Sequence, residues 1–302
     1  MKNQTALNEY LLDLKLRNCT ARTIKTMKNN MSLLFNWIES EYKITEIEDI
    51  KRNHIKGYLQ YKQSLGLKPT YINGIIKNIK AFFNYLVREE YIDRSPSEKI
   101  SLQKEEKVLI QTFSPDEVKR MIDVYSSPNF LSARNKCIIT MLFDTGIRNY
   151  ELCSIKCDNI KERTILIHGK GNKQRLVPIS PILRKTMLKY EAIREHYIKE
   201  RYQNEYYFLS QKGKMLTVEA VERVVRKCGV AAHVNEQIRC SPHTCRHTFA
   251  QMCLKNGIDI YTVSRLLGHE NLSITKRYLQ SMKDDIVIDM ARLFQSLCKV
   301  KN

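Results

Sequence analysis

The chain has 302 residues, with 51 Lys and Arg against 32 Asp and Glu, so its formal charge is +19 at pH 7. A surplus of that size favours a polyanionic partner, nucleic acid first, and the length suits two compact domains better than one. The N-terminal stretch lacks a continuous apolar signal core, and no run of about 18 apolar residues occurs, so neither export nor a membrane span is expected. Nine scattered cysteines fit reduced thiols in a cytoplasmic protein rather than a disulfide framework.

Residues 1–90 show helical periodicity without a strand signal. Thr20 is placed to cap a helix running to about Ile38, with Ile24, Met27, Met31, Leu34, Phe35 and Ile38 near one face. Lys68-Pro69-Thr70 opens another, with Ile72, Ile75, Ile76, Ile79, Phe82, Phe83 and Leu86 inward. The opposite faces carry Arg22, Lys25 and Lys28 on the first helix and Lys77 and Lys80 on the second, which together suggest a DNA-gripping surface. Residues 91–112 are polar and contain a proline, so the interdomain linker is expected there.

A second domain, 113–302, opens at Ser114, a good N-cap followed by Pro115, Asp116 and Glu117. The apolar run CIITMLF stops at Asp144-Thr145-Gly146, and a short helix begins near Arg148. TILIHGKGNKQRLVPI reads as a β-hairpin with an exposed basic turn. From about 181 the pattern is mostly helical, apart from a possible short strand at YYFLS, residues 206–210. The expected fold is mainly α with a small antiparallel sheet: a helical N-terminal DNA-binding domain and an α+β domain behind it.

The segment SPHTCRHTFA sets His243 and His247 at the i, i+4 spacing of a zinc helix, but position 244 is Thr instead of the required general base, and Arg246 would set a fixed positive charge beside a dication. A phosphate explains these residues better: a guanidinium offers a planar fork to two oxygens, and an imidazole donates hydrogen bonds or exchanges protons near neutral pH. A second guanidinium is available in TGIRNYEL, where Glu151 stands three residues after Arg148 and is placed to hold its side chain.

The order of TGIRNYEL, GKGNKQRLVP, HTCRHTFA and LLGHENLSITKRY resembles the tyrosine recombinase (phage integrase) family, and the two-part layout resembles its short Xer-type members. Cys245 and the bulky Asn149-Tyr150 depart from the usual pattern without removing a functional group. The resemblance implies a helical core-binding domain of the SAM-like type over 1–90 and a catalytic domain ending in a C-terminal helix. It implies that Tyr278 attacks a DNA phosphodiester to leave a 3′-phosphotyrosine, that Arg148 and Arg246 neutralise the non-bridging oxygens, and that His243 and His269 serve the same neighbourhood. Lys170 is implied as the general acid, with Lys173 the competing candidate and Lys173 and Arg175 otherwise holding the DNA backbone. His247 either supports the site from behind or caps its helix. No metal or other cofactor is implied, because the guanidiniums take the charge.

Double-stranded DNA is the expected partner. The tail carries Val287, Met290, Ala291, Phe294 and Leu297 as a helical stripe, which by resemblance docks into a neighbouring subunit of a homo-tetramer on synapsed DNA. Two other readings stay open on sequence: a type IB topoisomerase-like enzyme using similar residues, and a helix-turn-helix regulator suggested by YTVSRLLGHENLSITKRYL.

Overall fold

In the computed structural model the described residues are 1–106, 111–126, 129–169, 173–198, 204–269, 271–272 and 274–276. They divide into two units, with the boundary between Lys107 and Val108. The architecture is mainly α, with a two-stranded antiparallel sheet in the second unit. Among the described residues no helix is long and apolar enough to cross a membrane.

The first unit contains α1 (Asn3–Leu16), α2 (Ala21–Tyr42), α3 (Arg52–Ser64) and α4 (Pro69–Arg88). The Thr20 hydroxyl accepts from the Thr23 backbone N–H at 3.2 Å, which starts α2, and Pro69 starts α4. Every predicted inward residue of α4 is buried, as are those of α2 apart from the half-buried Ile24, so the two stripes form one core. Arg22, Lys25, Lys28 and Lys77 lie exposed on the outer faces. Lys80 is half-buried and donates from Nζ to the Glu98 carbonyl at 3.2 Å.

The stretch expected to be a linker is, as far as Glu105, fastened to this unit. Asn73, 2% exposed on the inner face of α4, donates from Nδ2 to the Gln103 carbonyl and to Glu105 Oε1 and accepts from the Gln103 N–H at 2.7 Å. Ile100 enters the same core. A buried amide needs partners, and a polar strand of chain supplied them.

The second unit contains α5 (Pro115–Asp123), α6 (Phe130–Thr145), α7 (Asn149–Cys153), β1 (Thr164–His168), β2 (Gln174–Pro178), α8 (Pro181–Ile198), α9 (Val218–Ala231), α10 (Pro242–Lys255) and α11 (Ile260–Leu267). Ser114 and Glu117 form the capping box that opens α5. Helix α6 is buried nearly all round and packs on α5, α8, α9 and α10, which makes it the centre of the core. It ends at Gly146, whose φ is +58° and where an added Cβ would lie 2.4 Å from the Phe249 ring, so both backbone and space require glycine.

Strand β1 pairs antiparallel with β2, Ile165 opposite Val177 and Ile167 opposite Arg175. YYFLS does not form a strand of the sheet; Tyr206 and Leu209 make isolated bridges to Lys156 and Met215, and Tyr207, Phe208 and Leu209 are buried. Aromatic and aliphatic side chains there fill the space beside Tyr190 of α8 instead of alternating across a pleat.

Candidate active site

Helix α11 ends at Gly268 in the left-handed conformation, φ +65°, so the carbonyls of its last turn lack partners within the helix. Three arginines take them. Arg175 Nε donates to the Leu266 carbonyl at 2.8 Å, Arg246 Nη2 to Leu267 at 2.7 Å, and Arg148 Nη2 to Gly268 at 3.1 Å. A helix C-terminus carries partial negative charge, which favours cations at that end.

Each arginine arrives from a different element. Arg148 is the N-cap of α7, just beyond the stop at Gly146. Arg246 lies in the first half of α10 at 3% exposure and also donates from Nη1 to the Gly146 carbonyl at 2.7 Å. Arg175 comes from β2 with its side chain 11% exposed. The Arg148 side chain, by contrast, is 43% exposed.

Glu151, 4% exposed, holds two of the three. Its carboxylate accepts from Arg175 Nη1 and Nη2 at 3.0 and 2.7 Å, from Arg148 Nη1 at 2.8 Å, and from the Arg148 backbone N–H at 2.9 Å. Burial alone would raise its pKa; the Arg175 hydrogen bonds and charge, followed by those of Arg148, outweigh this and bring it down to about 2. Two guanidiniums therefore share one ionised carboxylate, and with Arg246 the described residues of the cluster bring three guanidiniums to one carboxylate.

His269 follows the turn directly. Its Nε2 lies 2.9 Å from Arg246 Nη2, and its Nδ1 lies 2.7 Å from Thr275 Oγ1. A guanidinium has only donors, so Nε2 accepts and Nδ1 carries the proton toward the buried threonine. Burial, then the charges of Arg246, Arg148 and Arg175, lowers the His269 pKa to about 4. The neutral ring is the species at pH 7.

His243 stands one turn before His247 on α10, their rings 4.2 Å apart and edge to face. His243 reaches solvent, and desolvation of its packed side, then the charges of Arg246, Arg239 and Arg148, lowers its pKa. His247 is buried, and burial, then His243 and Arg246, brings it to about 4.

Of the residues expected in the site, Arg148 contacts Glu151 and Arg246 contacts His269, the two pairs meet where Arg148 and Arg246 both donate to the Leu267 carbonyl, and His243 borders them. Arg175, expected on DNA, joins the inside of the cluster. Lys173 is exposed and its carbonyl accepts from the Gly169 N–H at 2.7 Å across the hairpin turn. Lys170, Tyr278 and the C-terminal stripe lie outside the described residues. Sequence reasoning missed Thr275 and Gly268; the αL glycine ending a helix was readable, the threonine's role was not.

The phage integrase family profile matches residues 111–284, more than half of the chain. Tyrosine recombinase XerC of Bacillus pumilus (strain SAFR-032) is 31% identical over 252 residues, which cover 80% of this chain and 81% of that one. Tyrosine recombinase XerD of Listeria innocua serovar 6a is 26% identical over 270 residues, covering 88% and 90%. The fold is similar to that of XerH site-specific recombinase bound to palindromic difH substrate, with TM-score 0.74, 22% identity, and 92% and 82% coverage. It is also similar to a lambda integrase(75–356) dimer bound to a COC′ core site, with TM-score 0.73, 18% identity, and 91% and 97% coverage. The chain belongs to the phage integrase family, the tyrosine recombinases, and is Xer-like within it.

Proposed function

We propose that this chain is a site-specific DNA recombinase that breaks and rejoins duplex DNA through a 3′-phosphotyrosine on Tyr278. The observation that carries the reading is the convergence of Arg148, Arg246 and His269 on the end of α11, beside the single carboxylate that the described contacts show there, Glu151. A phosphodiester is the ligand such a site favours, and its transition state gains charge on the non-bridging oxygens where guanidiniums stabilise it most.

In this reading the Tyr278 oxygen attacks phosphorus, the bond to the 5′-oxygen breaks, and Lys170 protonates that oxygen as it leaves. A phenol of pKa about 10 needs help to act as its phenolate near neutral pH, and the neutral imidazole of His243 is suited to take its proton. Arg148 and Arg246 hold the non-bridging oxygens, Glu151 orients Arg148, and His247 supports the α10 backbone from within the core. The phosphotyrosine keeps the ester-bond energy, so a 5′-hydroxyl from another strand reverses the attack and the DNA is rejoined without ATP.

Duplex DNA is the partner, gripped by Arg22, Lys25, Lys28 and Lys77, with Lys80 and Lys173 as the further sequence candidates. Solved relatives in fold include a lambda integrase tetramer bound to a Holliday junction, which supports oligomerisation on DNA. The C-terminal stripe docks into a neighbouring subunit of that assembly.

The test uses a nicked suicide duplex from which the released 5′-hydroxyl fragment diffuses away. The parent chain accumulates a covalent adduct, and mass spectrometry places the nucleotide on Tyr278; Tyr278→Phe binds the same duplex and forms none. An adduct on another residue, or adducts from the Phe variant, would overturn the assignment.

A further inference from the structure

We infer that Arg175 is a positioning residue of the phosphate site: it fastens the Glu151 carboxylate to the end of α11 and so holds Arg148 and the His269 turn in one register. The inference rests on the reading of the site given above, and it moves Arg175 from the DNA surface to the inside of the machinery.

The strand pattern directs Arg175 inward. It pairs with Ile167 and shares a face with Val177 and Ile165, which are buried, whereas Leu176 between them is 58% exposed. Three donors of its fixed fork point the same way, two to Glu151 and Nε to the Leu266 carbonyl. With 11% of the side chain exposed, little of the fork faces a DNA backbone, whereas Arg148 on the same carboxylate is 43% exposed.

The turn is built around this side chain. An added Cβ at Gly268 would lie 3.0 Å from both Arg175 Cδ and Nη1, so the backbone that precedes His269 rests on the stem of the arginine. The hairpin touches the same pair: a Cβ at Gly169 would lie 3.8 Å from Glu151 Oε1 and 3.9 Å from Arg175 Nη1. Arg175 thus stands where α7, the hairpin and the end of α11 meet. A lysine cannot reproduce the link, because one ammonium does not span two carboxylate oxygens and a carbonyl in a planar fork.

Removing the link leaves Glu151 buried with Arg148 as its remaining cation. Its carboxylate then takes a proton at higher pH, and once neutral it no longer orients Arg148 as an ion pair. A misplacement of about 1 Å at a reacting group costs on the order of 100-fold in rate.

The experiment compares the parent with Arg175→Met and Arg175→Lys. Single-turnover cleavage is measured on saturating suicide duplex across pH, together with DNA affinity across salt. The expected result for Arg175→Met is a fall in cleavage of about 100-fold, an acid limb moved to higher pH, and affinity and salt slope unchanged within about twofold. Arg175→Lys lies between the two. Adding Glu151→Gln to Arg175→Met costs far less than adding it to the parent, because the two act as one unit.

Weaker affinity with a salt slope reduced by about one and parental cleavage at saturation would make Arg175 a phosphate contact and overturn the proposal. A slower reaction with an unmoved acid limb and additive double-variant losses would make it a general packing residue and overturn it as well. If Arg175→Met fails to fold, Arg175→Lys carries the same comparison. The Glu151 carboxyl is also titrated by ¹³C NMR without DNA: it moves up from its parental value near 2 in either variant, and a value that stays put overturns the link. That readout holds even if the parent forms no adduct, the outcome that would instead sink the recombinase reading.

Discussion

Arg148, Arg175 and Arg246 carry like charges to a single helix end, an arrangement that costs energy unless each charge is met. Glu151 and the carbonyls of Leu266, Leu267 and Gly268 meet them. The imidazoles adjust in the opposite sense: burial first, and then the charges around them, lowers their pKa values. For buried His247 this has a stability consequence. Its folded pKa of about 4 lies below the ordinary imidazole value of 6.5, so in that interval the unfolded chain binds the additional proton. The contribution from keeping the ring neutral is complete above about pH 6.5 and is lost as pH falls toward 4, up to ~3 kcal/mol at about 1.4 kcal/mol per pKa unit. Melting temperature followed from pH 7 to 4.5 should therefore fall less steeply for His247→Gln than for the parent, with His269 accounting for part of the slope that remains. Parallel curves would show that His247 does not titrate in this interval.

Among single residues, those with a charge to place were readable. Arg148 beside Glu151, with His243 and Arg246, suggested a phosphate site by residue type and spacing, and His269 joined them through the order of the motifs. What they lean on was hidden, because backbone carbonyls have no letter in a sequence. Arg175 is the instructive case: strict alternation places it beside Val177 on the inner face, and an arginine at a core position must be paired. The basic composition of GKGNKQR drew the reading outward to DNA.

At the scale of elements, caps and stripes carried most of the information. Thr20, Pro69, Ser114 and Gly146 mark the helix ends they were expected to mark, since each supplies a hydrogen bond or a backbone conformation that an ordinary residue supplies poorly. The polar stretch after α4 was read as linker because composition does not report a docking partner. That partner is Asn73, an amide among Ile72, Ile75 and Ile76. Asn73→Ala leaves the Gln103 backbone groups without their side-chain partner and should cost about 1–3 kcal/mol. The checks are a lower melting temperature and faster proteolytic cutting between residues 97 and 106, with the rest of the first unit protected. Unchanged cutting would mean that Ile100 alone holds the segment.

For the molecule as a whole, the charge of +19 and the active-site cations do different work. Surface lysines and arginines raise affinity for any duplex and weaken with salt, while in the proposed mechanism the guanidiniums at the end of α11 act on one phosphate. Substrate chemistry separates the two. Replacing the scissile phosphate by a methylphosphonate removes one negative oxygen among the many charges of a duplex, so binding stays nearly constant while the charge to be neutralised in the transition state falls. The most direct measurement is single-turnover cleavage by the parent and Arg148→Ala on both substrates; any folding defect of the variant acts equally on the two. The expected loss from Arg148→Ala is about 100- to 1,000-fold on the phosphodiester and below about tenfold on the neutral linkage. Equal losses on the two substrates would contradict a role for Arg148 in neutralising the scissile phosphate, and with it the account of the site.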